Sequence, residues 1–165
     1  MNARFFRVAG LAMVLASIIL VGNALARPTV GEQPVFLRAW GGEGEFLRRP
    51  NGLAVDDDKT IYVANSILKR ITRLNTDGSF LNWGEAGLGP GKFDEGPEGI
   101  VLDNGRLYVV DRTIPLVHVF DTQGNLLDSW GEPGIAPGQI SNPIDIDLYD
   151  GKVYILDTIA NRVRV

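Results

Sequence analysis

The chain has no cysteine and a single histidine among its 165 residues, and these two shortages exclude several kinds of protein at once. Without cysteine there is no disulfide to staple a small fold and no thiol to carry a lipid, so stability has to come from apolar packing. A catalytic zinc usually takes three protein ligands, commonly including histidines, and His118 alone cannot supply two of them. Basic residues are outnumbered, 16 against 20 acidic ones, and no Lys/Arg cluster or basic helix face is present to displace the counterions of a nucleic acid. No nucleophile elbow, phosphate-cradling loop or metal-ligand spacing occurs. The glycine-rich stretches 84–93 and 131–140 lead into no helical pattern, so neither reads as a dinucleotide fingerprint.

What is present first is a targeting pattern. Arg4 and Arg7 precede an apolar run over 8–22 that only Ser17 interrupts, and Ala24-Leu25-Ala26 supplies a small-x-small cleavage site. The run is shorter than the ~20 residues that span a bilayer as a helix. Residues 1–26 are therefore expected to form a cleaved signal helix, with an uncleaved anchor as the alternative and as the protein's one link to a membrane. Export places the rest in the periplasm or outside the cell. Removing Arg4 and Arg7 leaves 14 basic against 20 acidic residues, a net charge of −6. Residues 27–34, with two prolines and no periodicity, read as an extended arm.

The remainder is organised by repetition. Pro50, Pro97 and Pro143 lie 47 and 46 residues apart, Tyr62, Tyr108 and Tyr154 lie 46 apart, and Trp83 and Trp130 lie 47 apart. A fixed period of about 20 to 50 residues means a solenoid, propeller or array. Within each period short apolar runs alternate with acidic, amide and glycine turn formers, such as 56–58, 75–78, 103–105 and 121–124, which close tight hairpins. Four hairpin-linked strands per period predict an all-β fold of antiparallel β-propeller blades at 46–92, 93–139 and 140–165. The linkers 84–93 and 131–140 match position for position, and Phe46, Phe93 and Ile140 recur where one repeat passes into the next, as plugs between neighbouring blades. The third repeat has three strands, while 35–40, followed by Gly41, matches the outermost strands that precede Gly84 and Gly131. An outer strand at 35–40 is thus expected to complete the last blade.

Phe93, Pro97, Gly99-Ile100, Asp103, Gly105, Leu107-Tyr108-Val109, Asp111, Val117, Val119-Phe120, Gly124 and Trp130-Gly131 together resemble the NHL repeat. The piece most specific to it is Val153-Tyr154-Ile155-Leu156-Asp157 with Asn161-Arg162-Val163-Arg164-Val165. The resemblance covers 35–165. It implies a β-propeller, often six-bladed, that acts as a binding platform for proteins, RNA or small ligands, with one enzymatic branch similar to the peptide-amidating lyase. Closed propellers use about four to eight blades. About three blades therefore fit either a truncated reading frame or a homodimer that closes a six-bladed ring.

Among candidate site residues, Asp145 and Asp147 stand two apart on a predicted innermost strand, so their carboxylates share a face, expected to be the channel wall. With Glu98 of the neighbouring blade they form the candidate ligand-binding set, able to hold a divalent cation through oxygen. His118 aligns with Thr72 and Arg164 and is expected on the solvent side of the third strand. Asn65, Asp111 and Asp157 end second strands, and pairs of Asp157 with Arg162 and of Asn65 with Arg70 are expected to orient the turns that follow. Trp40, Trp83 and Trp130 end outer strands and read as rim packing. The function expected is an exported scaffold that binds a protein or small molecule and not nucleic acid. An enzyme of the lyase or lactonase kind, with a cation in the channel, is the alternative.

Overall fold

A computed structural model describes residues 36–40 and 46–165; the expected signal helix and arm lie outside the described residues. The chain divides into two compact units, 1–38 and 39–165. Of the first, Phe36, Leu37 and Arg38 are exposed and belong to no strand. No helix among the described residues is long and apolar enough to cross a membrane.

The second unit is built of antiparallel sheets whose strands follow the sequence pattern. Blade 1 contains β1 (Pro50–Val55), β2 (Ile61–Asn65), β3 (Arg70–Leu74) and β4 (Phe80–Trp83), paired in that order. A linker carrying the short parallel pair β5 (Glu85–Ala86) and β6 (Lys92–Phe93) leads to blade 2, made of β7 (Pro97–Asp103), β8 (Arg106–Asp111), β9 (Val117–Asp121) and β10 (Leu126–Trp130). Blade 3 has β11 (Pro143–Tyr149), β12 (Lys152–Asp157) and β13 (Arg162–Arg164). The second linker repeats the first through a parallel bridge of Pro133 to Ile140. At the hairpins the acidic residues act as sequence reasoning assigns them: Asp77 Oδ1 accepts from Ser79 N at 2.9 Å, and Asp121 Oδ1 from Gln123 N and Asn125 N at 2.9 Å each. Residues 36–40 lie in no strand, so among the described residues the third sheet keeps three strands and the outer strand expected at 35–40 is not seen.

Blade 2 has one face turned toward blade 1 and the other toward blade 3, and the cores lie between blades. Ala54, Tyr62, Ala64 and Ile71 of blade 1 pack on Ile100, Leu107, Val109 and Phe120 of blade 2, around Phe93. Val110, Val117 and Val119 on the opposite face of blade 2 pack on Ile146 and Ile155 of blade 3, around Ile140. The alternation of a strand thus serves two cores, which is why β8 is apolar at consecutive positions from Leu107 to Val110. Phe93 and Ile140 are the expected plugs and are fully buried. Phe46 is half-buried instead and stacks on Phe80 at 5.1 Å.

The first strands approach one another closely, and glycine makes that possible. A Cβ on Gly99 would stand 2.6 Å from Asp145 Cα and 2.8 Å from Ile146 N, and one on Gly52 would stand 2.5 Å from Glu98 O. These neighbours are backbone and cannot swing aside. Gly99→Ala is therefore expected to destabilise the protein by about 2 kcal/mol, the usual cost of overpacking. Urea unfolding checks it, and an unchanged midpoint would show that the blades do not meet at this point.

Candidate ligand site at the first-strand bulges

Each first strand begins with a bulge directly after its proline. The register slips between Pro50 and Gly52, between Pro97 and Ile100, and between Pro143 and Asp145. A bulge leaves a residue out of the ladder and re-aims its side chain. The repeat position between proline and the close-approach residue is held by Asn51, Glu98 and Ile144 in turn. Glu98 is buried, with its side chain only 6% exposed, and it gathers groups from two blades. The Asn51 amide donates to Glu98 Oε2. Arg49 Nη2 lies 3.6 Å and Arg112 Nη2 3.4 Å from Glu98 Oε1, which accepts no hydrogen bond.

The supports of this cluster are specific. Arg49 has φ +52°, a left-handed conformation that costs a non-glycine side chain about 1 kcal/mol or more. At the same repeat position blade 2 has Gly96, with φ +110°. Arg112 directly follows Asp111 at the end of β8, and its carbonyl accepts from Asn142 Nδ2 of blade 3 at 2.9 Å. Sequence reasoning singled out Glu98 and missed Arg49, Asn51 and Arg112. The available signal was the recurring proline-x-glycine of 50–52 and 97–99, whose middle residue varies while its flanks do not.

Asp145 and Asp147 do share a face of β11, and both are exposed. That face is the one which in the other blades packs on the next blade. Ala54 and Val101, at the repeat position of Asp147, belong to or pack against the two inter-blade cores. Strand side chains project normal to the sheet, toward neighbouring blades and not toward a central axis. The two aspartates each accept the next residue's N–H, at 3.0 Å from Ile146 and 2.8 Å from Leu148. Among the described residues no group of three His, Cys, Asp or Glu side chains is placed to hold a metal ion. The charge of Glu98 is met by guanidinium groups.

His118 corrects a second expectation: it is buried, not solvent-facing. A middle blade has both faces covered, so a polar position on its third strand looks into a neighbour and not into water. Gly91 N of the linker donates to His118 Nδ1 at 3.2 Å, and Ser129 Oγ lies 3.2 Å from the same nitrogen. The Phe93 ring stands edge-on to the imidazole at 5.5 Å. Burial holds the imidazole below the usual histidine range, with the Asp111 carboxylate pulling the other way. A depressed folded-state value means that the unfolded chain takes up the proton first, so stability is complete above about pH 6.5 and falls as the pH drops below it. Urea midpoints compared at about pH 7.5 and 5.5 should show this loss, and His118→Thr, the residue of blade 1, should lack it.

No protein-family model matches the chain, and no curated protein matches it significantly. Solved structures do. A streptogramin B lyase superposes with a TM-score of 0.56 at 18% identity, over 67% of this chain and 35% of its own. A catalytically inactive virginiamycin B lyase from Staphylococcus aureus with quinupristin gives 0.55 at 18% identity, over 69% and 36%. A luciferin-regenerating enzyme gives 0.51 at 17% identity, over 66% and 37%. This chain is a partial β-propeller. It spans little more than a third of the length of those structures, and identities this low show the fold alone.

In a propeller the innermost strands must be fixed where one blade follows another, and the residues ending the second strands do this here. Asp111 accepts from Asp94 N, Gly96 N, Thr113 N and Ile114 N at 2.8, 3.3, 2.8 and 3.2 Å. Asp157 likewise takes Ser141 N and Asn142 N, both at 3.0 Å, and pairs with Arg162 at 3.9 Å. Asn65 accepts from Arg48 N at 2.8 Å and donates to Phe46 O and Thr72 Oγ1. Arg70 gives its Nε to Leu68 O. These groups bind the segment leading into the first strand as well as the turn that follows the second, and so set the bulge that carries Glu98. Trp83 packs against the blade 1–2 core, edge-on to Tyr62 at 6.1 Å, as rim packing requires.

Proposed function

We propose that this propeller segment is of the NHL type and works as an exported scaffold that binds a protein or small-molecule ligand where the first-strand bulges of adjacent blades meet. The observation that carries this reading is Glu98. It is a buried carboxylate on a bulge, with one oxygen lacking a hydrogen bond and arginines arriving from two blades. Buried charge is retained against a desolvation cost of several kcal/mol per ion, and bulges are over-represented next to active sites, where they re-aim a side chain. The proline and tyrosine positions repeated in the three blades, together with the apolar run near the N-terminus, support the NHL type and export.

The test is amide chemical-shift mapping on the full chain against a panel of small metabolites, short peptides and divalent cations. Support is a saturable ligand whose shifts centre on residues 49–51, 96–99 and 112. Ligands that bind only elsewhere, or a panel that binds nowhere, would overturn the reading.

A further inference from the structure

The bulge site holds more positive than negative charge, and this decides what it binds. Arg49 and Arg112 both reach Glu98 Oε1, so two guanidinium groups share one carboxylate oxygen and the cluster has a net charge of +1 in a chain whose total is −4. Neither head is used up in the contact. At 3.6 and 3.4 Å the two approaches are ion pairs without a hydrogen bond, and the arginine side chains remain 52% and 44% exposed. Glu98 itself is almost wholly buried, with its side chain 6% exposed. The carboxylate thus anchors the forks and leaves their outer N–H groups to water.

Two independent features fix the forks in place. Arg49 holds a left-handed backbone at the repeat position where blade 2 has Gly96, so an arginine occupies a conformation suited to glycine. Its carbonyl is fastened by Ser66 N at 3.3 Å. The backbone of Arg112 is fastened from blade 3 through Asn142. A planar guanidinium presents paired donors that match the two oxygens of a carboxylate or a phosphate. Two of them held over a common buried counter-charge, one from each blade, form a clamp for such a group.

We propose that Arg49 and Arg112 form an oxyanion clamp across blades 1 and 2, taking the carboxylate or phosphate group of a small ligand, with Glu98 as the residue that positions the two arginines. This rests on the bulge site being the ligand site and goes further by naming the chemistry. It also reverses the sign expected at position 98. If Glu98 were itself the ligand contact, Glu98→Gln would weaken binding. For an oxyanion, the same change keeps an amide oxygen to hold the two guanidinium groups but removes a negative charge close to the ligand, and should tighten binding by about tenfold.

The experiment titrates acetate and, separately, inorganic phosphate into the full chain at constant ionic strength, following the Arg Nε–Hε resonances of Arg49 and Arg112. The expected result is a saturable shift of both resonances with at least one of the two anions. The Arg49 shift should disappear in Arg112→Gln, and the shifts of both arginines should saturate at lower anion concentration in Glu98→Gln, with circular dichroism confirming that each variant is folded. The ion that saturates at lower concentration identifies the oxyanion preferred. A response that does not saturate, one that survives Arg112→Gln, or one that Glu98→Gln abolishes in a folded protein would overturn the clamp. Should shift mapping find a cationic or neutral ligand at the same residues while both anions fail, the binding site stands and the oxyanion assignment falls.

Discussion

Replacing Phe93 with alanine is expected to lower the unfolding free energy by about 3–5 kcal/mol, the range found when a buried aromatic side chain is deleted and its cavity stays open. Collapse is blocked on each side of the ring. On one side is Gly84, where even a Cβ would come within 2.7 Å of Phe93 Cε2, and on the other are His118 and Phe120, with ring centroids at 5.5 and 6.3 Å. These belong to different elements, an inter-blade linker and the third strand of blade 2, and neither can move inward without breaking its own pairing. A domain of this size has a total stability of only about 5–15 kcal/mol, so the variant should lose a large share of it. Phe93→Ile should lose less, because Ile140 fills the same place in the next blade. Urea denaturation checks both, and a loss below about 1.5 kcal/mol for the alanine variant would mean that the linker is not clamped between blades.

Asp111→Ala is expected to come next in size, at about 3–4 kcal/mol, because it orphans several backbone donors at once. The N–H groups of Gly96 and Ile114 are buried and have no water to turn to, whereas those of Asp94 and Thr113 are only partly buried. Asp111→Asn should fall between the parent and alanine. Blade 1 already uses Asn65 at the equivalent place, but there the amide nitrogen has acceptors in Phe46 O and Thr72 Oγ1. At position 111 the amide nitrogen would face donors instead. Hydrogen exchange reads the effect locally: amides 94, 96, 113 and 114 should exchange faster in the variants than in the parent. Equal exchange at these four would contradict the role assigned to the carboxylate.

The architecture was largely legible in the sequence because its signals are local and repeated. The recurring prolines, which set the repeat, stand at the start of the first strands, and Asn65, Asp111 and Asp157 end the second strands as expected. Phe93 and Ile140 were readable as plugs from their linkers alone. What alternation could not reveal was which medium each face meets. His118 is buried against the inter-blade linker whereas Asp147 is exposed, and a period of two gives the same pattern for solvent, channel or blade. For His118 the answer depends on Gly91, 27 residues away, folding back to donate its N–H. The site itself depends on departures from the pattern: a residue left out of the ladder at Glu98, and an arginine in a left-handed backbone at 49. Such features stay hidden until the register is known.

Consecutive repeats stand face to face with their first strands nearly touching, and only in that arrangement can Glu98 meet Arg49 and Asn51. The most direct measurement is the nuclear Overhauser effect between Hα protons of Gly99 and Asp145, and its counterpart between Gly52 and residues 98–100. Strong cross-peaks at both places are predicted by the close approach of these backbones. A spectrum in which every first strand shows contacts to its own second strand and none to the neighbouring blade would contradict it.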